Sequence, residues 1–220
     1  HFDDLRFALV GDLRWSQKKP YNIGLQNFDF RLSYLAGTVN TDIDFTNQLI
    51  INSLDVKLQP ISIYKTLHLL PDEMAEAIAE EHQIPLSIFT ELETDATVSI
   101  SARLLKPFNA AVDGLPCLQA DITVPESYLR WENLDLNKLK ASLTLLIPDQ
   151  NLDNAVLTIN YFDLSGPATS LQYKGKVTHL LTDPTFEADI STQTSLDRLP
   201  PILKRLFQGS VSGTLTANAR

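Results

Sequence analysis

The sequence predicts a mainly β protein, a curled antiparallel sheet forming a groove or open, barrel-like wall, with two short helical segments. Three observations carry this. Apolar and polar residues alternate with period two along most of the chain, Pro, Gly, Asn and Asp punctuate the alternation at short intervals, and the apolar spacing turns helical in only two places. The length of 220 residues suits one all-β domain or two smaller halves, about 1–110 and 111–220, and one domain is the favoured reading. An apolar fraction of 44%, rich in Leu, Ile, Val and Phe, belongs to a chain that folds.

Strands are expected first at Leu5 to Leu9, Phe28 to Tyr34, Val39 to Phe45 and Leu54 to Leu58. Phe28, Phe30 and Tyr34 share a face, as do Phe7 and Leu9, and core packing explains them better than ligand contact. From Tyr64 to His82 the apolar residues fall at Leu67, Leu70, Met74, Ala77 and Ile78, a helical spacing. Pro71 is able to open a second helix there, with Asp72 and Glu73 at its positive end. Alternation then resumes: Ala96, Val98, Ile100, Ala102 and Leu104 interleave with Thr97, Ser99, Ser101 and Arg103. Leu118 to Val124 follows. In Leu139 to Ile147 the odd positions are apolar and the even ones mostly polar, which describes a strand with one buried face.

Leu157, Ile159 and Tyr161 continue the pattern, and Leu171 to Leu180, Phe186 to Ser191 and Val211 to Ala217 complete about eleven strands. The second helix is expected at Ser195 to Gln208, with Ser195 as N-cap, Leu199, Leu203, Leu206 and Phe207 as its apolar stripe, and Gly209 just past its end. The two helical regions parallel one another. Val56-Lys57-Leu58, Ser62, Leu67 and Leu70-Pro71 match Ala188-Asp189-Ile190, Ser195, Leu196 and Leu199-Pro200 in order. Either a strand, helix, strand unit is used twice and extends a shared sheet, or two helices cap the ends of one β-sandwich. In both cases each strand carries about four apolar side chains on one face, each worth roughly 1.5 to 3 kcal/mol when covered. The cover must be a second sheet, the same sheet curling round, or a ligand.

Composition excludes several classes of function. The 18 Lys and Arg against 27 Asp and Glu leave a net charge of −9, and the basic spots at Arg14 to Lys19 and Lys204-Arg205 are short, so nucleic acid is not an expected partner. Cys117 is the single cysteine, which rules out an internal disulfide and a thiolate metal cluster. His1, His68, His82 and His179 lack the spacings of a metal site, and solvent-exposed histidines are the better reading. No Gly-x-Ser-x-Gly elbow is present, and Gly209 to Gly213 lacks the Gly-Lys-Ser/Thr ending of a phosphate loop. Asp42 with Asp44 and Glu187 with Asp189 read as charged outer faces rather than paired catalytic carboxylates. Trp15 and Trp131, near strand ends, read as packing under loops. No apolar run approaches the roughly 20 residues of a membrane-spanning helix. An enzyme is not expected, and neither is a cofactor. His1 in place of Met, and an end within a strand-like stretch, predict a piece of a longer protein.

The closing stretch resembles a known repeat. Gly175-Lys176-Val177, Leu180, Asp183-Pro184-Thr185-Phe186, Leu196, Leu199 and Gly209-x-Val211-x-Gly213-x-Leu215 are similar to the repeat of AsmA-like proteins of the Gram-negative envelope, particularly those of Bacteroidetes. The likeness covers Leu164 to Ala217, and more loosely Leu118 to Leu136 and Ala36 to Pro71. These motifs are structural and far less specific than a catalytic signature. With the related TamB and YhdP groups, that family implies a periplasmic curled sheet with an apolar groove that carries phospholipid between membranes. It also implies a parent anchored in the inner membrane by a helix this chain lacks, and no catalytic residues. On that resemblance Val98, Ile100, Leu139, Leu143, Leu145, Ile147, Leu157 and Ile159 are expected to line the groove, with phospholipid acyl chains as ligand. The alternative is a β-sandwich scaffold that docks outer-membrane or assembly proteins, and a weaker third is a lipid carrier with a closed cavity.

Overall fold

Alternation becomes pairing. The computed structural model, which describes residues 7–17, 19–32, 35–132, 134–167, 169–195 and 213–219, is mainly β. The elements run β1 (Phe7–Ser16), β2 (Lys19–Leu32), β3 (Leu35–Asp44), β4 (Ile50–Leu58), β5 (Ile61–Ser62), α1 (Ile63–His68), α2 (Asp72–His82), α3 (Ser87–Glu91), β6 (Glu93–Thr94), β7 (Thr97–Leu104) and β8 (Phe108–Asn109). They continue with β9 (Leu118–Trp131), β10 (Leu134–Ile147), a 3₁₀ turn at Leu152–Asn154, β11 (Val156–Ser165), β12 (Thr169–Thr178), β13 (Thr185–Ser195) and β14 (Thr214–Ala219).

Eleven strands lie side by side in the order β1-β2-β3-β4-β7-β9-β10-β11-β12-β13-β14, every neighbour antiparallel. Three two-residue strands sit off this path: β5 on β7, β6 on β9 and β8 on β4. The result is one antiparallel sheet that does not close into a barrel. This near-sequential meander follows from the short loops, since two-residue and other tight connections join antiparallel neighbours.

Several strands outrun their expected limits, and bulges are the reason. β9 continues through Pro125 to Trp131 because its register against β10 shifts between Val124 and Ser127, and a bulge is where a residue without an N–H is tolerated. β2 begins at Lys19, well before Phe28, and carries an extra residue at Asn27, whose φ is 47° and whose N–H donates to Asn40 Oδ1 at 2.8 Å. That extra residue breaks the period-two pattern. β12 ends at Thr178, short of Leu180, where His179 takes a left-handed φ of 55°.

The first helical region is three helices rather than two. The Ser62 hydroxyl accepts the Lys65 N–H at 3.3 Å and starts α1. Pro71, with ψ at 144°, occupies the N-cap of α2, not its first turn, and Gln83 ends α2 in the left-handed region. α3 has five residues, too few to show a period in sequence. Ala75, Ala79 and Phe89 are buried together, with Leu67, Leu70, Ile78 and Ile84 packed on them. These helices form a cap beside β7 and β9: the Ile63 N–H donates to the Ala96 carbonyl at 3.0 Å, and Trp131 Nε1 donates to Ser87 Oγ at 3.1 Å. Trp131 is therefore buried, while Trp15 is exposed on β1. Ser195 closes β13, and the rest of the expected helix to Gln208 lies outside the described residues.

Candidate functional site

Register brings the apolar positions of separate strands into continuous rows. One row runs Phe28, Val39, Val56, Ala102, Ala120, Leu145, Leu157, Val177 and Phe186, each paired with the next across nine strands. At about 4.8 Å between strands it is roughly 40 Å long. A second row on the same face runs Ile100, Ile122, Leu143, Ile159, Gly175 and Ala188. A third joins Leu104, Leu118 and Ile147, and a fourth joins Val124, Ala141, Phe162, Tyr173 and Ile190. Gly175 interrupts the second row for a steric reason, because a Cβ there would lie 2.7 Å from the Glu187 carbonyl oxygen. Four rows at two residues' spacing cover roughly 20 Å along the strands, the first across nine strands and the others across six, three and five, so the apolar surface is continuous and widest at its middle.

The opposite face is polar at the adjoining register. Lys57, Ser101, Asp121, Thr144, Thr158, Lys176 and Glu187 form its corresponding row. Its side chains bond one another: Thr144 Oγ1 donates to Asp121 Oδ1 at 2.7 Å, Arg103 to Gln119 at 2.9 Å, and Lys140 lies 3.1 Å from Asp163 and 5.1 Å from the centre of the Tyr161 ring. Arg103 and Gln119 pair in the open while the other two pairs are half-buried, and an accessible ion pair such as Lys140–Asp163 contributes about 0 to 1 kcal/mol. They mark the face that stays in water.

All eight residues expected to line the groove fall on the apolar face. Leu145 faces Leu157 and Leu143 faces Ile159 directly, Ile100 reaches Leu143 through Ile122, and Ile147 pairs with Leu118. Val98 pairs with Ile61 of β5, and Leu139 pairs with Leu164 and with Ser127. Ile147 is buried and the other seven are half-buried. Residues that single-strand reasoning did not single out complete the face, above all Ile122, Ala120, Val177 and Phe162. For Ile122, Ala120 and Val177 the alternation was readable but the adjacency was not; for Phe162 the alternation misled, because an extra residue between Ile159 and Phe162 puts Phe162, and not Tyr161 as expected, on the apolar face. Phe186 is 67% exposed, so the first row thins toward β13.

The cap covers one end of this face. Through the bulges, Ser127, Leu129 and Trp131 stay on the same side as Val124, and Ser127, Trp131 and Leu136 are all buried, Trp131 against Ser87 of α3. The polar groups on the face turn back to the backbone. Ser127 Oγ donates to the Pro125 carbonyl at 2.8 Å, Thr41 Oγ1 to Ser53 at 2.8 Å and Thr94 Oγ1 to Tyr128 at 2.5 Å. None of these three is left to orient a polar ligand.

The hollows in the surface lie elsewhere. One of about 530 Å³ is lined by Thr158, Lys174, Lys176, Glu187 and Asp189 of the polar face with Gly175, Phe186 and Ala188. Another of about 430 Å³ sits over Lys106, Phe108, Asp113, Cys117 and Asp149. These are dips between standing charged side chains and loops, and the apolar face is the candidate site on size and continuity. Of the histidines, His68 stacks on Tyr64 with ring centres 4.0 Å apart, and His82 and His179 are exposed. Asp42, weighed as half of a carboxylate pair, accepts from Asn22 at 2.8 Å and Asn52 at 2.9 Å.

Asp149 shows what holds the loop after β10. The Asn151 N–H donates to its Oδ1 at 2.9 Å, Asn154 Nδ2 to its Oδ2 at 2.8 Å, and Lys106 adds positive charge. Together they hold its carboxyl below the usual carboxylate range against a smaller opposing effect of desolvation. A lowered carboxyl stabilises the fold above the unfolded pKa, and that contribution is lost as pH falls through the folded value. Titration followed by NMR is expected to place the Asp149 midpoint below that of an unstructured peptide. A midpoint at or above the peptide value would remove this account of the loop.

The chain matches no protein-family model, no curated protein and no solved structure.

Proposed function

We propose that this chain is a non-enzymatic periplasmic segment of an AsmA-like protein, whose apolar sheet face binds phospholipid acyl chains and conducts them between the inner and outer membranes. The observation that carries the reading is the run of paired apolar rows on one face of an open sheet, half-exposed and with its polar groups satisfied by backbone. An acyl chain asks only for such a surface. Each methylene covered gains about 0.8 kcal/mol, and headgroups remain in water along the open side, so no fixed polar contact is required. A row of roughly 40 Å exceeds the ~15 Å depth of one bilayer leaflet, so lipids can occupy successive stations along it. The resemblance around Asp183-Pro184-Thr185-Phe186 supports the same reading.

A scaffold role in outer-membrane protein assembly is the second reading. It draws on β1 and β14, which end the sheet as open edges among the described residues. Its support is those edges alone, because the sheet is single and open and not one half of a filled sandwich.

Native mass spectrometry with lipid extraction, on chain purified without detergent, separates the two. Co-purified phospholipid, and saturable uptake of an added fluorescent phospholipid, are expected. A lipid-free mass with no uptake would overturn the lipid reading.

A further inference from the structure

We propose that β1 pairs edge to edge with β1 of a second copy of this chain, antiparallel and centred on Leu13. Every residue of β1 from Ala8 to Trp15 is exposed, including Leu9 at 47%, Val10 at 69%, Leu13 at 66% and Trp15 at 57%. Among the described residues β1 has a strand on one side only, and an edge this apolar is a template for another strand. The sequence of the edge selects the partner. Its only charges are Asp12 and Arg14, of opposite sign and two residues apart on the polar face, opposite Gln26 and Gly24 of β2.

In an antiparallel pair of β1 strands centred on Leu13, each Asp12 faces the other copy's Arg14. Leu13 faces Leu13 on the apolar side, and Trp15 comes opposite Gly11, the one position there with no side chain. A two-residue slip in either direction sets Asp12 against Asp12 or Arg14 against Arg14, and a one-residue slip sends every side chain to the wrong face. The strand is thus self-complementary in one register, as a two-fold interface requires. β14, Thr-Leu-Thr-Ala-Asn-Ala, carries no charge and offers no such selection. The β1–β2 register shifts between Val10 and Asp12, but the extra residue, at Asn27, lies in β2, so β1 keeps its own alternation from Val10 to Arg14. Pairing at this edge would join the apolar faces of the two copies into one surface of twice the width.

Sedimentation analysis of the 220-residue chain tests this. Wild type is expected to shift with concentration from the mass of one chain to that of two. Arg14→Asp and Asp12→Arg, each setting like charges opposite, are expected to weaken dimerisation at least tenfold, and the double change Asp12→Arg/Arg14→Asp to restore it to within about threefold. A second measurement stands apart from charge. In a Cys117→Ser background, Leu13→Cys is expected to form an intermolecular disulfide, because paired Cα atoms on the two-fold axis lie about 4.5 to 5.5 Å apart, while Val10→Cys, roughly 20 Å from its counterpart, is not. A wild type that stays monomeric, a dimer indifferent to the single charge changes, or equal cross-linking at residues 13 and 10 would overturn the proposal.

Discussion

Leu145→Asp is expected to lower the phospholipid held by the chain at least tenfold while leaving the sheet folded. Leu145 sits mid-row, between Ala120 and Leu157, with Ala102 and Val177 one strand further out. A carboxylate there would have to shed water each time an acyl chain lay across it, at a cost of several kcal/mol, and 1.4 kcal/mol is already a factor of ten. The same carboxylate is tolerated when no lipid is present, because the position is half-buried and not enclosed, so the ion stays in contact with water. The contrast comes from Thr158→Asp, one residue along from Leu157 and on the polar face opposite Lys176, which is expected to leave lipid content unchanged. Lipid extraction on both variants, with circular dichroism as the check on folding, reads the outcome. A folded Leu145→Asp chain that keeps its lipid would show that the ligand, if any, does not use this face.

Phe89→Ala carries the second large effect, and it falls on the cap. Phe89 is 7% exposed and buried in one cluster with Ala75 and Ala79, on which Leu67, Leu70, Ile78 and Ile84 pack. Removing a buried phenyl ring costs about 3 to 5 kcal/mol. The three helices have few other buried contacts, so that loss is comparable with what holds them on the sheet. Hydrogen exchange is expected to show protection lost over residues 63–91 while the amides shared by β9, β10 and β11 stay protected. The covered end of the apolar face, at Trp131 and Leu136, would then open to water. Uniform loss of protection across the sheet would mean instead that cap and sheet unfold as one unit.

How far this could be read in the sequence follows from what each pattern encodes. Period-two alternation assigns a residue to one face of its own strand, and for Leu139 to Ile147 that was enough to separate Leu143 and Leu145 from Ser142 and Thr144. The strand count followed too. The bulges did not, because Pro125 and the polar stretch around Asn27 read as strand ends when taken alone, and only the partner strand shows that pairing resumes beyond them. α3 was missed for want of length.

Sequence by itself therefore determined the class, the scarcity of helix and, wherever a strand carries no bulge, the face on which each apolar side chain stands, since these are local consequences of backbone geometry. Tertiary structure decided that the faces align into rows across nine strands, that a single open sheet and not a sandwich carries them, and that the cap closes one end over Trp131. Those depend on register between residues far apart in the chain, such as Ala102 with Ala120 or Leu145 with Leu157, where hydrogen-bond pairing and loop length choose among alignments that alternation alone leaves equivalent.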